Sequence, residues 1–138
     1  MTHARHRPLV GWSLLGIAAV HVLVAPALYP ESLRSTWEAG VLLAVESDAV
    51  LIAERGVGFW YVTAGLGIGL LGCMVLAFER RGEPLPRGLG WGLLALMAWG
   101  VALMPASGFW AFAVPAVLAL RRAPATRPSP TNVRGATP

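Results

Sequence analysis

The stretch GLGWGLLALMAWGVALMPASGFWAFAVPAVLAL, Gly88 to Leu120, runs for 33 residues without a charged side chain. A bilayer core about 30 Å thick takes roughly 20 helical residues at about 1.5 Å of rise each. The run is too long for one crossing and suits two, folded back at Met104-Pro105-Ala106-Ser107-Gly108. Working outward, Leu9–Tyr29 and Val57–Phe78 are each apolar over the length of one crossing. The expected fold is therefore all-α: a four-transmembrane-helix bundle over residues 9–120, with crossings at about 9–29, 57–78, 88–104 and 105–120. Residues 1–8 form a basic N-terminus, and 121–138, rich in Pro, Thr and Arg, read as a disordered tail.

Composition agrees. Of the 138 residues 56% are hydrophobic and 13% charged, against about a quarter charged in an average soluble domain. The formal net charge of +4 does not imply a nucleic-acid partner, because the arginines sit where membrane topology wants them. A single cysteine, Cys73, excludes an internal disulfide or a paired-thiol redox centre and reads as a small apolar filler. The N-terminus mimics a signal peptide, ending in Ala25-Pro26-Ala27, but its apolar stretch is longer than a usual signal core and is expected to stay as the first helix. The absence of Lys among eleven basic residues, with much Ala, Gly and Pro, suggests a GC-rich bacterial genome.

The arginines set the expected orientation. Arg5, Arg7, Arg80, Arg81, Arg87, Arg121, Arg122, Arg127 and Arg134 fall on one side, which makes both termini cytoplasmic. The loop between the first two crossings holds only Arg34 and Arg55 among Glu31, Glu38, Glu46, Asp48 and Glu54. Within it Leu33, Trp37, Val41 and Leu42 recur at helical spacing, as in an amphipathic segment at the outer interface. Ser47 or Asp48 is placed to cap a helix running through Ala49–Arg55 into the second crossing. Pro26 should kink or loosen the outer end of the first helix, and Pro115 should interrupt the fourth. The address implied is the bacterial inner membrane, multi-pass.

Small residues let helices approach closely in lipid. At 100° per residue Glu54, Gly58, Tyr61, Gly65 and Gly72 share one face of the second crossing, expected to point inward. Gly88, Gly92, Ala95 and Ala102 make a comparable face on the third, near the bearing of Trp99. His21 lies inside the first crossing, where an ionisable group is costly and both ring nitrogens need partners. With those faces inward, a funnel would lead from Asp48 and Glu54 at an acidic mouth, past Tyr61, to a floor of His21 and Trp99. His21 and Glu54 are then candidate acid/base residues, and Tyr61, Trp99 and Asp48 candidate pocket residues. The alternative for His21 is a helix–helix hydrogen bond, to Tyr61, Trp99 or a backbone carbonyl. One His without Cys or carboxylate at ligand spacing makes a poor metal site, and no cofactor is expected. His3 and His6 read as solvated.

Gly11-Trp12 followed by a mid-helix His21, Phe59-Trp60 opening the second crossing, Arg81-Gly82-Glu83-Pro84-Leu85-Pro86-Arg87-Gly88-Leu89-Gly90-Trp91 and Met104-Pro105-Ala106-Ser107-Gly108-Phe109-Trp110 resemble a family of small uncharacterised bacterial four-helix membrane proteins. The resemblance spans about residues 9–120 and implies a four-crossing fold and a plasma-membrane address. It carries no activity.

The expected function is a pocket for a lipophilic small molecule, open to the outer side, with proton transfer as its chemistry in an isomerase or cyclase. An accessory or scaffold subunit of a larger membrane complex is the alternative, and a small proton-coupled transporter the third. Expected partners are the lipid bilayer, a lipophilic small molecule, and further copies of the chain or a membrane protein.

Overall fold

A computed structural model describes residues 7–123, all helix and connection. Helix α1 spans Leu9–Leu28, α2 Pro30–Glu38, α3 Ile52–Arg81, α4 Arg87–Leu103 and α5 Ala113–Arg122, with a 3₁₀ turn at Gly108–Phe112 before α5. His3, His6, Arg5 and the tail from residue 124, including Arg127 and Arg134, lie outside the described residues.

Prolines and one glycine set most boundaries. Pro30 disfavours a helical conformation at Tyr29, which takes φ −131° and ψ 52°, so α1 stops at Leu28 and Pro30 opens α2. Pro26 sits in the last turn of α1 without ending it. Gly82 stops α3 in a left-handed conformation at φ 71°. Its N–H bonds to Glu79 O and that of Glu83 to Phe78 O, the two bonds of a Schellman motif. Pro105 acts on Met104 as Pro30 does on Tyr29, ending α4. Pro115 does not interrupt a helix. It is the third residue of α5, in the first turn, where the backbone N–H groups have no intrahelical partner.

By length and composition, α1 with 20 residues and α3 with 30 could each cross a membrane. α3 extends five residues beyond the expected Val57 start and is about 45 Å long. α4 is a shorter apolar helix of 17 residues. The expected amphipathic segment is helical only to Glu38. From Ala39 to Leu51 the chain turns, with Gly40, Val41 and Leu43 at φ 87°, 66° and 59°. For Val41, β-branched, that is a strained conformation.

α3 packs on α1 and α2, α1 packs on α5, and α5 packs on α4; no Cα of α4 comes within 8 Å of one in α1 or α3. The α1–α3 seam is the glycine face read from sequence. A Cβ on Gly11 would lie 2.7 Å from the backbone of Leu76, and one on Gly72 3.1 Å from Leu15 N. The apolar core, Val10, Leu14, Val75, Leu85, Leu93, Phe112, Ala116 and Ala119, gathers toward the end where α1 and α4 begin and α3 and α5 stop.

The face of α4 differs from the expected one. Gly90, Leu93 and Gly100 are the buried positions, with Gly100 seated under the Phe109 ring. Gly88, Gly92, Ala95, Ala102 and Trp99 are exposed, Trp99 to 67%. Small residues occur on both faces of α4, and the tighter packing is made by the pair that admits Leu120 and Phe109.

Gly11→Ala places its methyl against backbone that cannot yield, and should lower stability by about 1–3 kcal/mol. Gly67→Ala, in open space on the same seam's helix, should be neutral or stabilise by up to about 1 kcal/mol through helix propensity. Unfolding in mild detergent followed by circular dichroism tests the pair; equal effects would contradict the seam.

Candidate functional site

The described residues place polar groups at both ends of the α1–α3 pair. At the Tyr29 end, the His21 ring stacks on Tyr61 with centroids 3.9 Å apart and planes 12° apart. Tyr61 in turn meets Tyr29 at 4.8 Å, tilted by 54°. His21 Nε2 lies 3.1 Å from the Tyr61 carbonyl oxygen. A carbonyl only accepts, so Nε2 is the donor in this contact. Gly65 makes room for this: a Cβ there would sit 2.9 Å from His21 Cδ2 and 2.7 Å from Val22 Cγ2. The imidazole is thus held by a helix–helix hydrogen bond and a stack, the alternative weighed from sequence.

Beyond Tyr29 opens a groove of about 350 Å³ lined by Leu28, Tyr29, Pro30, Glu31, Ser32, Glu54 and Val57. Its walls are mostly apolar. Of its two carboxylates, Glu31 is held by Arg34 at 2.7 Å, and that hydrogen bond keeps the Arg34 guanidinium above its ordinary pKa. Glu54, exposed in the first turn of α3, has no ion pair among the described residues.

The other predicted residues lie elsewhere. Asp48 is exposed in the turn, where Oδ1 accepts from Val50 N at 2.8 Å, and it does not line the groove. It therefore shapes the turn before α3 instead of capping a helix from Ala49. Trp99 is carried by α4, no Cα of which comes within 8 Å of one in α1, and it is exposed, so it does not join His21. The structure thus joins His21 to Tyr61, sets Glu54 in the groove wall one aromatic ring further on, and leaves Asp48 and Trp99 apart. Among the described residues no group of three or more His, Cys, Asp or Glu could hold a metal ion.

Two further polar clusters were not anticipated. Arg55, only 8% exposed, donates from Nε to Ser35 Oγ at 2.8 Å and from Nη1 to Ala44 O at 2.7 Å and Ser47 Oγ at 2.9 Å. Ser32 Oγ accepts from Gly58 N at 3.1 Å and donates to Arg55 O at 3.3 Å. Together they fasten α2 and the following turns onto α3, fixing the groove's rim. At the opposite end Glu79, its side chain 5% exposed, accepts from Val10 N at 3.2 Å and Gly11 N at 2.8 Å and pairs with Arg122 Nη1. Pro8 offers α1 no capping side chain, so a carboxylate from α3 does that work. The available signal was an acid inside a basic flank, opposite a helix that starts without a capping residue.

A model of a family of unknown function (DUF6463) matches residues 5–126. The resemblance to an uncharacterised family therefore holds. No curated protein matches the chain, and no solved structure does.

Glu79→Ala leaves two N–H groups and a guanidinium without their acceptor and should cost about 2–4 kcal/mol. Arg122→Ala should cost less, and the double variant should fall short of the sum by about 1 kcal/mol or more. Denaturation of the four proteins measures this cycle; strict additivity would mean that Glu79 and Arg122 are not coupled.

Proposed function

The chain belongs to the DUF6463 family, and we propose that it is a four-crossing inner-membrane protein that holds a lipophilic small molecule in the groove at the Tyr29 end, on the outer side. The observation that carries this reading is the groove itself: an apolar cleft with a carboxylate on its wall and an aromatic column, Tyr29–Tyr61–His21, leading from it into the α1–α3 seam.

α1 and α3 are long enough to cross a membrane, and the other two crossings would need a locally thinned bilayer. α4 is about 25 Å long, and the 3₁₀ turn with α5 together cover about the same distance, near the bilayer core when locally thinned. Large apolar side chains stand exposed along the helices, among them Val20, Leu23, Leu66, Leu70, Trp91 and Leu103, a surface suited to lipid. The arginine distribution favours both termini in the cytoplasm, an orientation that would turn the groove outward.

The chemistry that these groups would supply is proton transfer. Glu54 reaches solvent and the groove together, and the His21 imidazole stands at the column's foot with Nε2 engaged by the Tyr61 carbonyl. Binding rests on the groove alone. A turnover step needs the guest to reach His21 past Tyr61.

A second reading, an accessory subunit, draws support from the turns after α2. Trp37, Leu42, Leu43 and Val50 are each more than three-quarters exposed. A larger membrane protein could cover them.

Mass spectrometry of small molecules that co-purify in mild detergent separates the two. Wild type should retain a discrete lipophilic compound that Val57→Trp, which fills the groove from an exposed position, loses while staying folded. His21→Ala should retain it at least in part, since His21 does not line the groove. Bulk phospholipid alone in every sample would overturn the pocket reading.

A further inference from the structure

We propose that the groove selects an organic cation: a lipophilic amine or quaternary ammonium whose apolar part lies along Leu28, Pro30 and Val57. This deepens the proposed pocket and rests on it. Three observations carry the charge preference. The groove wall holds Glu54, a carboxylate with no ion pair among the described residues, while its neighbour Glu31 is already engaged by Arg34. The one aromatic ring in the lining is Tyr29, half-buried and backed by Tyr61, and an aromatic face within about 6 Å of a cation attracts it.

The third concerns the cations nearby. Residues 30–56 carry five acids and two arginines, a net charge of −3. Both arginines are occupied: Arg34 lies between Glu31 and Glu38, and Arg55 is turned into the protein on Ser35, Ala44 and Ser47. Arg55 does not line the groove, and Arg34 is attracted by Glu31 and Glu38 ahead of Glu54. An anionic guest would meet Glu54 without a compensating donor, and a neutral one would leave that carboxylate desolvated against its apolar body. A cation with an alkyl tail satisfies both halves of the lining.

The test uses the full chain in zwitterionic nanodiscs, with empty discs as background, and two radiolabelled probes of equal tail length: dodecyltrimethylammonium and dodecanol. The cation should bind above background to wild type, about fivefold more weakly to Glu54→Gln and to Tyr29→Leu, with dodecanol unaffected by Glu54→Gln. Glu54 is exposed and Glu54→Gln keeps its shape, so folding is not at stake. If both probes bind and Glu54→Gln changes neither, the groove stands and the cation preference is overturned. If neither probe exceeds empty discs, the pocket reading beneath it falls as well.

Discussion

The fold depends on the carboxylate of Glu79. It sits in the last turn of α3, takes two of the N–H groups that open α1, and binds the guanidinium that closes α5. A helix start without a capping side chain has unsatisfied donors and a partial positive charge. An acid from another helix answers both, and the arginine beside it keeps that acid from being a lone buried charge. The apolar core gathers at this same end, so the electrostatic tie and the dispersion contacts fix one set of helix ends together. The opposite end is held differently, by Arg55 and serines bonding to one another and to backbone groups, and it is there that the groove remains open.

That division of labour explains why a site can exist at the Tyr29 end. Gly65 and Gly58 let α1 and α2 approach α3 closely, Gly58 against the Ser32 side chain. The approach stacks His21 on Tyr61 and leaves the cleft between Leu28 and Val57 at the lip. A side chain at Gly65 would push His21 off its carbonyl and disturb the aromatic column. The seam that holds the helices thus also forms the floor of the site.

Much of this was legible in the residues. The apolar runs located α1 and α3, and the glycine face of α3, with Gly58, Gly65 and Gly72 buried, was set by spacing alone. The meeting of His21 with Tyr61 follows from their places on facing helices. The rotation of α4 was not legible, because Gly88, Gly92 and Ala95 on one face compete with Gly90 and Gly100 on the other. Only the neighbours Leu120 and Phe109 decide between them. Trp99 left the site for that reason and because α4 packs on α5 rather than beside α1. Glu79 and Arg122 were hidden by a different ambiguity. Charges flanking apolar segments carry topology information and packing information in the same letters, and only the three-dimensional arrangement separates the two.

The central claim, four crossings with the groove on the outer side, is tested most directly by labelling intact cells with a membrane-impermeant thiol reagent. Single cysteines at Asp48→Cys, Glu83→Cys and Ala106→Cys would be placed in a Cys73→Ala chain. The account predicts labelling at positions 48 and 106 and protection at 83 until the cells are opened. Labelling at 83, or protection at 106, would mean that α4 and α5 do not form the third and fourth crossings and that the groove does not face outward as described.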